Sequence, residues 1–153
     1  MNEQVLAQKQ QLLSQFEKGT NIVLSTSLDD YVTSRTVTVI SFQDNLYFAS
    51  VKRPTALKFI QIEKNPNIAL CTGSMKITGL AHIIGAVSAQ ENTELAALYK
   101  EKLPEAYAKY ALPSDSVFIQ IKLTTSKTSK MENGKLELTS TDYVQGSIEI
   151  HSI

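Results

Sequence analysis

Basic and hydroxyl-bearing side chains cluster at the start of a helix-like segment. Lys52, Arg53, Thr55 and Lys58 follow one another closely there. A phosphate group needs cationic and hydrogen-bond-donating partners, and these residue types supply both. Pro54 suits the first turn of a helix, whose free N–H groups and dipole also favour an anion. The pattern therefore predicts a phosphate-binding site, and the alternative is an ordinary solvated helix start.

A further cation, Arg35, lies in the middle of a predicted strand that is rich in Thr, Val and Ile. From this pattern alone, Arg35 fits an exposed strand arginine as well as a binding residue. A second predicted strand follows and ends in Phe48-Ala49-Ser50, of which Phe48 is expected to lie in the core. The short distance along the chain between the two strands predicts a hairpin, with Arg35 on its first arm.

The elements that would position these residues follow from hydrophobic periodicity and turn residues. Apolar residues at helical spacing predict amphipathic helices, and runs rich in β-branched residues predict strands. Their order predicts a mainly β protein, an antiparallel split β-barrel with peripheral α-helices. The predicted helices are 3–18, 54–64, 91–101 and 105–110, and the predicted strands are 21–27, 31–42, 46–51, 68–72, 75–89, 117–123, 135–140 and a short strand around 148–150.

Glycines mark the expected ends and bends of these elements. Gly19 is expected to end the first helix, and Asn133-Gly134 is expected to form a tight hairpin turn. Gly79 and Gly85 predict a bulge or bend in the long strand, as closure of a barrel requires. The core-facing side chains predicted for the first two helices are Val5, Leu6, Leu12, Leu13, Phe16, Leu57, Phe59 and Ile60.

Composition limits the class of protein. The 153 residues fit one domain, 1–153, and 15 basic against 15 acidic residues argue against a general nucleic-acid binder. The single cysteine, Cys71, excludes an internal disulfide and is expected to be a buried, inert thiol. His82 and His151 are too isolated to predict a metal site. With no signal peptide or membrane-length apolar run, we expect a cytoplasmic protein that binds no membrane.

The chain resembles a known family over roughly residues 20–90. The resemblance is carried by Arg35-Thr36-Val37, by the strand that ends in Ser50, by Lys58-x-x-Gln61 and by the Asn65-Pro66 turn. These segments are similar to the flavin-binding half of the pyridoxamine 5'-phosphate oxidase-like family, the FMN-binding split barrels.

The resemblance implies an FMN site. The usual threonine of the family is absent at Ala49-Ser50, and the loop at 52–53 differs in length, so which of Lys52 and Arg53 points inward stays open. Ser74 would reach the flavin of the other subunit of a homodimer. The implied cofactor-binding residues are Arg35, Thr36, Val37, Phe48, Ala49, Ser50, Lys52, Arg53, Thr55, Lys58, Gln61 and Ser74.

The activity implied is FMN-dependent oxidoreduction of a small-molecule substrate or electron donor, with no residue assigned as catalytic. The apolar strand from Ile77 to Val87 is expected to supply surface for the homodimer. The alternatives are a non-catalytic flavin-binding or stress-related ligand-binding module, or the same fold with haem or a deazaflavin. Because the tail after Asp142 contains no arginine, we do not expect a true pyridoxamine 5'-phosphate oxidase.

Overall fold

Strands account for most of the ordered backbone in this computed structural model, which describes residues 2–153. The helices are α1 (Glu3–Ser14), α2 (Leu57–Lys64), α3 (Thr93–Lys102) and α4 (Pro104–Ala106), which continues as a π-helical turn, Tyr107–Ala111. The strands are β1 (Thr20–Leu28), β2 (Tyr31–Phe42), β3 (Asn45–Val51), β4 (Asn67–Thr72), β5 (Met75–Ala86), β6 (Ser116–Glu132), β7 (Lys135–Asp142) and β8 (Ser147–Ser152).

The strands form one antiparallel sheet in the order β3-β2-β1-β4-β5-β6-β7-β8, and β3 also pairs with β6. That last pairing closes the first six strands into a barrel. The first part of β6 pairs with β3, and its second part pairs with β7. The barrel is therefore split open at one end, where β7 and β8 continue the sheet. The predicted fold class is confirmed.

Hydrophobic side chains fill the barrel and a second cluster outside it. The interior contains Leu24, Val39, Phe48 and Ile119, together with Phe16 from the segment after α1. The second cluster lies between the barrel and α3, where the rings of Tyr99 and Phe118 are 5.7 Å apart. Because β6 packs on both sides, its Phe118 is as buried as the residues that face the interior. The peripheral helix thus covers one wall of the barrel.

The predicted turns and bends are confirmed. Asn133 and Gly134 have positive φ angles of 52° and 76° between β6 and β7. The register between β5 and β6 shifts at Gly79 and again before Ala86. A Cβ atom at Gly79 would lie 2.7 Å from the backbone oxygen of Lys122, so only glycine allows the two strands to approach this closely.

Several predicted boundaries are wrong, most of all the end of β6, which runs to Glu132 rather than residue 123. α1 ends at Ser14 rather than residue 18, and β5 ends at Ala86 rather than residue 89, after the bulge at Gly85. α2 begins at Leu57 rather than Pro54. Pro54 lies in a turn ahead of the helix, and Ala56 at the N-cap has extended backbone angles.

Several predicted core residues are also exposed. Leu6 of α1 is 49% exposed, and Leu57 and Ile60 of α2 are 39% and 38% exposed. α2 packs through Phe59 and Ile62, which are one helical turn apart, so Leu57 and Ile60 lie on the other side. The prediction is therefore right for Phe59 and wrong for Leu57 and Ile60.

Cys71 contradicts a further expectation, and part of the apolar strand is used inside the chain. The Cys71 thiol is exposed, because alternation along β4 turns Leu70 inward and its neighbour outward. In β5, Ile77 and Ala81 are buried inside the same chain, as is Val87 just after the strand. These side chains are therefore used inside the chain, and the expectation that this strand supplies dimer surface stays a prediction. Within residues 2–153, no helix is long and apolar enough to cross a membrane.

Candidate functional site

Helix α2 lies beside one end of the β1–β2 hairpin and covers polar side chains there. Arg35 of β2 is directly opposite Leu24 of β1, and Thr33 is opposite Thr26. Directly opposite residues of an antiparallel pair project from the same face. Leu24 and Thr26 are fully buried, so Arg35 and Thr33 also project from the inner face of the hairpin, toward α2.

The guanidinium of Arg35 is held at a fixed position by this hairpin. Its Nη1 donates to Thr26 Oγ1 at 2.8 Å and to the Leu24 carbonyl at 3.3 Å. Its Nη2 donates to Thr33 Oγ1. The side chain is partly buried, and burial lowers the pKa of Arg35. An arginine held by neutral oxygens alone keeps its full positive charge uncompensated.

Gln61 of α2 orients the two hydroxyls that hold Arg35. It is 1% exposed, and its Oε1 accepts hydrogen bonds from Thr26 Oγ1 at 2.5 Å and Thr33 Oγ1 at 2.7 Å. Its Nε2 donates to the Tyr31 carbonyl at 3.0 Å. Each threonine hydroxyl donates its only proton to Gln61. The lone pairs of the hydroxyl oxygens therefore remain available to accept hydrogen bonds from Arg35. Gln61 therefore acts on the site through Thr26 and Thr33.

Lys58 adds a second cation, one helical turn before Gln61 on the same side of α2. Its side chain is partly buried, and burial followed by the positive charge of Arg35 lowers the pKa of Lys58. Among residues 2–153, neither Lys58 nor Arg35 forms an ion pair with a carboxylate. Two neighbouring cations without a counter-charge repel each other, and an anion between them removes that repulsion.

The basic residues of the preceding loop do not join this pair. Lys52 Nζ forms an ion pair with Glu63 at 3.2 Å and lines a separate cleft together with His82. Arg53 and Thr55 are exposed in the turn before α2. The structure thus brings Arg35, Lys58 and Gln61 together and directs Lys52 elsewhere.

The fold and this site can be compared with known proteins. No protein-family profile matches the chain, and no curated protein sequence matches it significantly. A protein related to general stress protein 26, of the pyridoxinephosphate oxidase family, from Clostridium acetobutylicum, is similar in structure. Its TM-score is 0.61 at 10% identity, and the match covers 95% of this chain and 99% of the other.

Two further solved structures are similar. An FAD-binding protein from Mesorhizobium loti has a TM-score of 0.59 at 12% identity, over 76% of this chain and 90% of that chain. HutZ, the haem storage protein of Vibrio cholerae, has a TM-score of 0.58 at 11% identity, over 77% and 89%. The chain has the split-barrel fold of the pyridoxamine 5'-phosphate oxidase-like proteins. At these identities the likeness shows the fold alone.

The other predicted site residues of this split barrel are dispersed. Thr36 is exposed on the outer face of β2, whereas Val37 is buried in the barrel core. The β3 residues Phe48, Ala49 and Ser50 are all buried, Phe48 in the barrel and Ala49 in the cluster with Tyr99. Their side chains therefore form part of the wall rather than an open surface.

Ser74 lies far from Arg35 within one chain. It occupies the exposed turn between β4 and β5, and both β1 and β4 separate β2 from β5 in the sheet. A role for Ser74 beside Arg35 therefore requires a second copy of the chain. Within residues 2–153, no group of histidine, cysteine and acidic side chains is placed to hold a metal ion.

Thr26 and Thr33 are site residues that the sequence pattern does not predict. Both are ordinary strand threonines, and their role depends on pairing with each other and on the helix that covers them. The one available signal was their two-residue spacing from Leu24 and Arg35, which places them on the same strand faces.

Proposed function

We propose that the chain binds FMN and is an FMN-dependent oxidoreductase. The observation that carries this proposal is the pair of uncompensated cations, Arg35 and Lys58, beside α2. A phosphate monoester carries a charge of about −1.5 to −2 at neutral pH, which two cations match. Arg35 is already held by hydrogen bonds and Lys58 is partly buried, so less conformational entropy is lost when the phosphate binds.

FMN fits this donor set better than a dinucleotide does. Beside α2 the structure offers one compact cation pair, and Lys52, the next basic residue along the chain, is engaged by Glu63. The flavin ring would lie along β2, where the resemblance assigns contacts to Thr36 and Val37. Bound FMN would supply the redox chemistry, while the chain binds it, orients it and excludes water.

The proposed working form is a homodimer. Apolar side chains are exposed on both faces of the β1–β2 hairpin and on the adjoining α2, and such side chains favour burial by a partner. A partner subunit covering this region would bury them and bring Ser74 of the partner subunit toward the flavin. The exposed side chains are Val23 (41%), Tyr31 (62%), Val32 (64%), Leu57 (39%) and Ile60 (38%).

Cofactor titration tests the proposal directly. The apoprotein is titrated with FMN, FAD, riboflavin and haem, with flavin fluorescence and haem absorbance as readouts. Tightest binding of FMN is expected, and binding of haem alone would instead place the chain beside haem-binding split barrels. A reduced nicotinamide nucleotide and an electron acceptor are then added to the FMN-loaded protein. Reduction and reoxidation of the flavin indicate an enzyme, and their absence indicates a non-catalytic flavin-binding module.

Light scattering tests the homodimer. Wild-type protein is expected to have twice the mass of the chain, and Ile60→Glu is expected to shift it toward the monomer and weaken FMN binding. Lys64→Glu at the end of the same helix is the matched control, since it changes charge without touching the apolar surface. A wild-type monomer at micromolar concentration would contradict the dimer but not FMN binding to Arg35 and Lys58.

A further inference from the structure

Two lysines face each other on the outer side of the sheet where it continues past the barrel. Lys76 of β5 is directly opposite Lys127 of β6 in the antiparallel register. Like charges at directly opposite positions destabilise a sheet. Among the described residues, neither amine has a carboxylate partner, whereas the nearby Lys130 is paired with both Glu132 and Glu137.

A cleft of about 310 Å³ opens beside this lysine pair. β7 and β8 bring further polar side chains to the same side, because Lys127 is opposite Ser140 and Leu138 is opposite His151. Glu149 contacts His151 at 3.4 Å and is exposed. The polar residues that line the cleft are Ser74, Lys76, Lys127, Thr128, Ser129, Thr139, Ser140 and His151.

This cleft has the donors that a phosphate needs. The two amines supply charge, and the serine hydroxyls supply hydrogen bonds to several oxygens of one anion. Leu138 is partly exposed in the same cleft and gives it one apolar wall. No acidic side chain lines it, although Glu149 of β8 is directly opposite Ser140 on the same side of the sheet.

We propose that this cleft, the Lys76–Lys127 cleft, binds the phosphate group of a small organic phosphate whose apolar part contacts Leu138. The phosphate neutralises two charges whose repulsion otherwise destabilises the β5–β6 pair. The site is distinct from Arg35 and Lys58 within one chain, because β1 and β4 separate the two regions of the sheet. Because the cleft shares Ser74 with the contact proposed for the flavin of the other subunit, it is tested in the flavin-free protein.

Calorimetric titration with phenyl phosphate and with inorganic phosphate tests the proposal. Wild-type protein is expected to bind phenyl phosphate more tightly than inorganic phosphate. The double variant Lys76→Gln/Lys127→Gln is expected to lose roughly tenfold or more of the affinity, because charged hydrogen bonds are removed. Lys130→Gln, a change of the same type on the same strand, is expected to bind like wild type.

Lys58→Met separates this site from the flavin site. Binding of phenyl phosphate that survives in Lys58→Met and is lost in the double variant supports the proposal, whether or not the chain binds FMN. Loss in Lys58→Met with retention in the double variant overturns it. Equal affinity for the two probes, or no saturable binding up to about 10 mM, also overturns it. Thermal unfolding checks the fold, and the double variant is expected to be at least as stable as wild type without phosphate.

Discussion

Lys58 of α2 and Arg35 of β2 are two neighbouring cations on adjacent elements. Burial and the charge of Arg35 lower the pKa of Lys58. Arg35 cannot move away, because Thr26, Thr33 and Leu24 hold its guanidinium. Without a ligand, the repulsion between the two cations lowers the stability of the protein, and a bound anion removes that repulsion. Such an arrangement is typical of a binding site.

The first prediction concerns Lys58→Met, which keeps the apolar stem of the side chain and removes the charge. FMN binding should weaken by about 1.5–3 kcal/mol, the range for a hydrogen bond to a charged group. Riboflavin lacks the phosphate and should bind nearly as before. Fluorescence titration of both ligands measures the difference.

Lys64→Met is the control for this prediction, because Lys64 is an exposed residue in the last turn of the same helix. It should change neither affinity. If Lys58→Met weakens FMN and riboflavin equally, Lys58 does not meet the phosphate. The unliganded Lys58→Met protein should be no less stable than wild type, since the repulsion from Arg35 is gone.

A second prediction follows from the direction of the pKa shift. The pKa of Lys58 is lower in the folded protein than the ordinary value of 10.5, so the unfolded chain binds more protons between these two values. The contribution of Lys58 to stability should therefore rise with pH through that range. Urea unfolding of wild type and Lys58→Met at several pH values up to 10.5 isolates this contribution.

The affinity for FMN should change with pH in the opposite direction to the stability of the unliganded protein. The phosphate favours protonated Lys58, so the affinity for FMN should fall as pH rises through the pKa that Lys58 has in the unliganded protein. The affinity for FMN is divided by the affinity for riboflavin at each pH. This ratio cancels the effect of ionisation of the flavin ring, which both ligands share. A ratio that does not change with pH in wild type would show that Lys58 stays protonated or lies away from the phosphate.

The third prediction concerns Gln61→Met, which leaves the Thr26 and Thr33 hydroxyls without their acceptor. A buried polar group that loses its partner costs about 1–3 kcal/mol, so the variant should unfold at lower urea concentration. Arg35 should also lose its fixed position, and the preference for FMN over riboflavin should fall. A double-mutant cycle with Thr33→Val measures whether the two residues act together. Additive effects would mean that Gln61 stabilises the fold without positioning Arg35.

The strands of the barrel could be predicted from sequence because their patterns are local. β2 was predicted with the observed bounds, since a long run of β-branched residues and the turn at Gln43-Asp44 define it. The start of α2 could not be predicted in this way. Pro54 is compatible with a helix start, but the chain makes a separate turn there, and Leu57 begins the helix. Which face of α2 is buried depends on where it packs.

The site was predictable in part. Arg35 and Lys58 carry charges in recognisable positions, and the structure brings them together. Lys52 pairs with Glu63 because of the position of α2 relative to the loop. Local sequence does not encode that position. Likewise, Gln61 looks like a ligand in the sequence, and only the pairing of Thr26 with Thr33 shows that its amide is used inside the protein.

A fourth prediction tests the close approach of β5 and β6. In Gly79→Ala the new methyl group would meet the Lys122 backbone oxygen at 2.7 Å and the Ile121 side chain at 2.8 Å. Overpacking of this kind costs about 1–3 kcal/mol, so urea should unfold the variant at a lower concentration. Gly73→Ala is the control, because a Cβ there meets no atom within 4 Å. Equal stability of the two variants would show that the strands can separate at Gly79.

The last prediction is that the FMN-loaded protein does not oxidise pyridoxamine 5'-phosphate at an enzymatic rate. In the oxidases, a C-terminal segment with arginine and histidine closes over the substrate phosphate. Here residues Ser147–Ser152 form β8, which is paired along its whole length with β7, and Arg53 is the last arginine of the chain. Among the residues after Arg53, a substrate phosphate would find lysine but not the planar guanidinium that binds two oxygens at once. Incubation with pyridoxamine 5'-phosphate and oxygen tests this, and product formed at about 1 per second or faster would contradict it.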